Sequence, residues 1–148
     1  MRGLSEGTEV AVAGGVCDGA FAPFRIRPEE VEMVEVGSPG THSRRRIFHI
    51  LGQNAAGRAG NLLVSELYGD GGCWSGYPPH KHDTDDPPNE SQLEELYLYR
   101  FARPSGFALQ RVYTPDRSLD EAIVARDLDL VLVPRGYHVV GEIGRAHV

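Results

Sequence analysis

Glycine and proline interrupt this chain so often that only short elements fit between them: 18 glycines and 10 prolines are spread over 148 residues. Both residues punctuate regular structure, proline by removing a donor and fixing φ, glycine by favouring turns. The runs between them are alternating or rich in β-formers, which reads as strands. They are "TEVAVAGG" (8–15), "AFAPFRI" (20–26), "VEMVEV" (31–36), "RRIFHIL" (45–51) and "NLLVSELY" (61–68). Four more follow: "LEELYLYRF" (93–101), "GFALQRVYT" (106–114), "EAIVARD" (121–127) and "DLVLVP" (129–134). Only "RPEEVEMVEV" has helical character, and its Val-Met-Val alternation fits a strand equally well. Many short strands with frequent turn signals predict an all-β sandwich or barrel. No internal repeat or low-complexity segment complicates that expectation.

The remaining composition narrows the function classes. A length of 148 residues is about one domain's worth. No apolar run approaches the ~20 residues needed to cross a bilayer. The segment "MRGLSEGTEVAVAGG" lacks the apolar core of a signal peptide, so a cytoplasmic location is expected. The net charge of −6 argues against nucleic-acid or membrane-surface partners, which require a basic face. Cys17 and Cys73 form no CxxC pair, which removes zinc-finger and thioredoxin readings and predicts two small buried thiols. Lys81 is the sole lysine among 15 basic residues, a bias that points to a G- and C-rich gene.

The chemistry concentrates in "YPPHKHDTDDPPNESQLEELYLYRF", residues 77–101. In extended backbone alternate side chains share a face, so His80 and His82 point the same way, about 6.5–7 Å apart along the strand. Pro78 and Pro79 restrict the backbone that carries them. Two histidines bind an ion weakly, and a third ligand is expected from the next strand, at Glu94 or Glu95. Parity does not choose between these two. His138, after the Arg135-Gly136 turn in "VLVPRGYH", is a fourth candidate. Neutral imidazoles with one carboxylate suit a divalent metal ion such as Zn, Mn, Fe, Co or Ni. His42 and His49, each alone, read as surface or packing residues. The acids of "HDTDDPPNES" read as a solvated loop.

The segments "WSGYPPHKHDTDDPPNESQLEELYLYRF", "GFALQRVYT", "RSLDEA" and "VLVPRGYHVV" resemble the 5-deoxy-glucuronate isomerase family of bacterial myo-inositol catabolism. The resemblance runs from about Arg45 to Val140 and is most specific in "YPPHKHDTD" and "VPRGYH". It implies a bicupin: two double-stranded β-helix halves, with the metal in the C-terminal half. On that pattern residues 1–30 are a remnant of the N-terminal half with a linker, and 31–141 are an incomplete C-terminal cupin. The implied ligands are His80, His82, Glu95 and His138. Glu95 is preferred to Glu94 by similarity to related hexuronate ketol-isomerases. Thirteen positions separate His82 from Glu95, and the second motif is Pro-x-Gly-x-His, both unlike ordinary cupins and both fitting the isomerases.

The implied reaction converts the sugar acid 5-deoxy-D-glucuronate to 5-dehydro-2-deoxy-D-gluconate by metal-assisted enolisation. Candidates for the proton-transfer base are Glu121, Tyr97, Tyr99 and Glu94. Arg111 and Arg135 are the candidates for the substrate carboxylate, whereas Arg44 to Arg46 read as a solvated edge. Trp74, Tyr77 and Tyr137 are candidates for the pocket wall. Rival expectations are a pectin-pathway uronate ketol-isomerase, a non-catalytic sugar-binding cupin and a cupin dioxygenase. A homo-oligomer is expected for the full-length protein.

The C-terminal "IGRAHV" (143–148) is what one reading frame of a common short-read sequencing adapter encodes. Glu142 then falls at the junction, native sequence is expected to stop near Gly141, and His147 is expected to carry no function.

Overall fold

The computed structural model describes residues 6–144 and the backbone of 146–147. The first five residues, Arg145, Val148 and the side chains of Ala146 and His147 lie outside the described residues, so the expected foreign segment 142–148 is described only in part. Two compact units divide the chain: Met1–Glu32 with His49–Ser65, and Met33–Phe48 with Glu66–Val148.

In the first unit the strands expected at 8–15 and 20–26 do not form. Alternation sets which side chains share a face but supplies no partner for the backbone, and here no ladder takes up either run. Side-chain contacts hold the segment instead: the Arg58 guanidinium lies 4.0 Å from the Phe24 ring centre, and Asn61 donates to the Val16 carbonyl at 3.4 Å. Cys17 is exposed and Cys73 half-buried, both as free thiols, which corrects the expectation of two buried ones.

Among the described residues the regular structure is all β apart from single 3₁₀ turns. In chain order the strands are β1 (Glu32–Val36), β2 (Arg45–Leu51), β3 (Val64–Gly69), β4 (Trp74–His80), β5 (Glu95–Leu98) and β6 (Arg100–Phe101). They continue with β7 (Phe107–Tyr113), β8 (Asp120–Ala125), β9 (Leu130–Val133), β10 (Tyr137–Ile143) and β11 (Ala146–His147). One sheet runs β1-β2-β3-β11-β6, a second β4-β10-β7-β8, and β5 pairs with β9 alone. This is the all-β architecture expected from the short punctuated runs, and it is consistent with the cupin-type fold that the resemblance implies.

The second sheet and the β5–β9 pair bury their inner faces against each other. Tyr99, Ala108, Ala125, Val131 and Val140 form the core there, with Tyr97, Phe101 and Ile123 packed on it. Strand alternation places Ala108, Gln110 and Val112 of β7 inward. The buried Tyr99 hydroxyl donates to Gln110 Oε1 at 3.0 Å, which satisfies one end of an otherwise costly buried amide.

That bond yields a double-mutant prediction. Tyr99→Phe leaves Gln110 Oε1 without its donor and lowers stability by about 1–3 kcal/mol in urea unfolding. Adding Gln110→Leu removes the stranded amide and recovers much of the loss. Strictly additive losses would contradict the bond's role.

Candidate metal centre

The site begins with an irregularity in the ladder between β4 and β10. His138 pairs with His80 and Val140 with Ser75, so Gly76 to Pro79 all face the single residue Val139. A bulge of this size re-aims the strand that carries it. Gly76 permits it with φ of 66°, and its carbonyl accepts from His80 Nδ1 at 3.2 Å. That contact leaves Nε2 as the remaining ring nitrogen of His80, whose side chain is partly exposed and whose ring centre lies 4.5 Å from that of His138. Two residues on, past the end of β4, His82 turns to the same side.

β10 supplies the third imidazole. Before it, Gly136 has φ of 93°, and a Cβ there would lie 2.7 Å from the Tyr113 carbonyl oxygen, so glycine is required. The Gly136 carbonyl accepts from His138 Nδ1 at 3.3 Å, again leaving Nε2 free to face inward. On β5 the inward face carries Glu95 and Tyr97, followed by Tyr99, whereas Glu94 is exposed. Strand parity that was ambiguous in sequence is thus resolved toward Glu95.

These four side chains converge. One ligand atom from each of His80, His82, Glu95 and His138 lies within 4.8 Å of the others. Glu95 Oε2 is 3.0 Å from His138 Nε2 and 3.8 Å from His82 Nε2. His138 is 1% exposed. Glu95 Oε2 and His138 Nε2 are both buried, and their contact falls short of a well-aligned hydrogen bond. Three imidazoles and one carboxylate with donor atoms this close fit a tetrahedral or higher divalent site.

The electrostatics describe the same competition. Burial lowers the His80 pKa, and the adjacent His138 lowers it further. Burial pulls His138 the same way, but the Glu95 carboxylate prevails and raises it. Burial pushes Glu95 up, and its contacts with His138, Tyr97 and His82 hold it below the ordinary carboxylate range. Tyr97 is raised far above the ordinary tyrosine range, first by burial and then by the Glu95 charge its hydroxyl bonds to.

Other expected residues distribute unevenly. Glu121 pairs with Val112, which pairs with His138, which pairs with His80, so the four form one row across the sheet. Its side chain shares the inward face of Ile123 and Ala125 at the exposed end of β8. Arg135 lines a narrow cleft with Asp83, Leu93, Val133 and the ligand cluster. Arg111 does not reach it: it sits on the outer face of β7, ion-paired with Asp120 and donating to the Glu121 carbonyl at 2.9 Å. The expectation for Arg111 is corrected by the same alternation that buries its neighbours Gln110 and Val112. Trp74 and Tyr77 are exposed, and Tyr137 stacks on Tyr113 at 5.6 Å, so none of the three walls the cleft.

The arginine run is also corrected in part. Arg44 pairs with Glu35 at the surface, but Arg45 is half-buried and its Nε has no partner. Its charge faces Tyr97 and Glu142, and burial lowers its pKa. Glu142 is 1% exposed with both carboxylate oxygens unpartnered. Burial, opposed by Arg45 and reinforced by Asp70, raises its pKa to about 7.

Comparison with known proteins places these residues in context. Residues 2–144 match the KduI/IolB family. The 5-deoxy-glucuronate isomerase of Geobacillus kaustophilus (strain HTA426) is 46% identical over 132 residues, 89% of this chain and 46% of the relative. That of Bacillus subtilis (strain 168) is 48% identical over 102 residues, 69% of this chain and 38% of the relative. A crystal structure of an IolB-like protein from Salmonella typhimurium LT2 superposes with a TM-score of 0.73 at 41% identity, covering 86% of this chain and 48% of that one. The chain spans less than half the length of these proteins.

Two measurements check this geometry. Glu95→Gln removes the charged ligand and weakens zinc or cobalt binding by at least tenfold in a chelator competition, while Glu94→Gln, on the exposed face, leaves it unchanged. The reverse ranking would contradict the assignment. For Glu142 the folded state holds its proton up to about pH 7, against an ordinary value of 4.5. The folded chain therefore binds more protons than the unfolded chain in that window, and stability falls as pH rises through it. At ~1.4 kcal/mol per pKa unit the wild-type chain loses ~3 kcal/mol between pH 4.5 and 8 relative to Glu142→Gln. Parallel stability–pH curves for the two proteins would refute it.

Proposed function

The chain belongs to the KduI/IolB family, and on that premise we propose that it carries the metal site of an aldose–ketose isomerase acting on 5-deoxy-D-glucuronate. The product is 5-dehydro-2-deoxy-D-gluconate. The observation that carries this reading is the convergence of His80, His82, Glu95 and His138 within 4.8 Å beside a cleft open to Arg135 and Asp83. The names of the relatives support the choice of substrate.

The reaction moves one proton from the hydroxyl-bearing carbon to the aldehyde carbon, and one from that hydroxyl to the aldehyde oxygen, with no net redox change. His80, His82, Glu95 and His138 would hold a divalent ion, which would supply Lewis-acid assistance to enolisation. The chain's own side chains must bind the sugar acid and carry the carbon-bound proton. Glu121 suits the latter role. It lies on the inward face two strands from His138, a Cα separation of roughly 10 Å.

Tyr97 does not suit that role. Burial and the Glu95 charge keep its hydroxyl protonated, so it acts as a donor that holds Glu95 in place. Arg135 at the cleft edge suits the substrate carboxylate, because a guanidinium matches a carboxylate with two parallel hydrogen bonds.

Activity assays on 5-deoxy-glucuronate test these roles together. Chelation abolishes turnover and a divalent ion restores it. Glu121→Gln lowers kcat by roughly 10²–10⁴-fold with little change in KM. Arg135→Ala raises KM, whereas Arg111→Ala does not. Undiminished kcat in Glu121→Gln would remove it as the base, and faster turnover of a pectin-derived hexuronate would reassign the substrate.

A further inference from the structure

The acidic loop between His82 and Glu95 is braced from within. Glu90 Oε1 accepts the backbone N–H groups of Asp83 at 2.6 Å and Thr84 at 2.7 Å. Both Glu90 oxygens also lie 2.7 Å from Lys81 Nζ. The neck is closed where Leu93 N–H donates to the His82 carbonyl at 3.0 Å and Asp86 N–H to the Glu90 carbonyl at 2.9 Å. A surface ion pair alone is worth little. A carboxylate that takes two backbone donors and a lysine fixes the path of the chain between two ligand-bearing segments.

From this braced backbone Asp83 reaches another segment. Its Oδ1 accepts the Gly136 N–H at 2.6 Å, while the Gly136 carbonyl receives His138 Nδ1 at 3.3 Å. Gly136 is thus held at both backbone polar groups. The contact bridges a gap in the ladder: His82 lies past the end of β4 and Gly136 before the start of β10, beyond the His80–His138 pair. Among the described residues no strand pairing joins the two segments there.

We propose that Asp83 and Glu90 are positioning residues of the ligand cluster: Glu90 sets the loop, and Asp83 pins Gly136 so that His138 and His82 present their ring nitrogens to one point. This rests on the metal reading above and assigns a role to acids that look merely solvated in sequence. Neither residue supplies a ligand atom. Both reduce the freedom the ligands lose when an ion is bound, which is how partners behind a ligand raise affinity.

The test uses the whole chain and Co(II) or Zn(II) alone, with affinity read by competition against a chromophoric chelator and apo stability read by thermal melting. Asp83→Ala weakens metal binding roughly 10–100-fold, while its apo melting temperature stays within a few degrees of wild type. Asp83→Asn, which keeps an oxygen acceptor for Gly136, restores binding to within several-fold of wild type. Glu90→Ala weakens binding in the same direction, and Asp85→Ala, elsewhere in the loop, leaves it unchanged. Wild-type affinity in Asp83→Ala would overturn the proposal, as would an Asp83→Asn variant as weak as Asp83→Ala. Failure of both alanine variants to fold without metal would also overturn it, because the loop would then hold the fold and not the ligands. A wild-type chain that binds no metal defeats the metal reading itself, whereas normal wild-type binding with indifferent variants defeats only the positioning role.

Discussion

The site depends on β10 lying between β4 and β7 in one sheet. That placement sets His138 directly against His80 across the bulge at Gly76 to Pro79. Across the barrel, β5 brings Glu95 to the same depth through its pairing with β9. Three of the four side chains meet because β4, β5 and β10 are held in register by backbone hydrogen bonds. The loop carrying His82 is the one ligand segment without a strand partner, and it is the one braced by Lys81, Glu90 and Asp83.

The interior so assembled is costly for an ordinary core. Beside its aliphatic and aromatic core it buries His138, Gln110 and Glu142 and half-buries His82, Glu95, Tyr97 and Arg45, several with buried atoms that lack a well-formed hydrogen bond. Burying polar atoms without partners destabilises a fold, and folds keep such atoms where a ligand or a reaction uses them. The group around Glu95 and His138 is one that a divalent cation would complete, as proposed above. Glu142, with Arg45 nearby, has no such completion, and burial raises its pKa.

The strand-rich class was legible because glycine and proline leave room for little else, and β2, β7 and β9 fall on the runs that alternation marks. β4 was not read as a strand, since "WSGYPPH" carries a glycine and two prolines where a strand favours β-branched residues; only the partner strand makes it one. Residues 8–26 show the converse error, good alternation without a ladder. Of the candidate site, His80, His82 and His138 are legible from the residues themselves, as is a carboxylate at Glu94 or Glu95, and only the choice of Glu95 rests on resemblance. Arg111 was misplaced because the face a strand residue takes is fixed by register, which local sequence does not contain. Glu90 escaped notice because its partners, Lys81 and the loop amides, are met only when the loop folds back on itself.

The central claim is that three imidazoles and one carboxylate jointly coordinate a divalent ion. X-ray absorption spectroscopy on the cobalt- or zinc-loaded chain tests it directly. The account predicts three nitrogen ligands at about 2.0–2.1 Å with imidazole scattering, and an oxygen at about 2.0–2.2 Å. A shell of oxygen ligands alone, with no imidazole scattering, would contradict it.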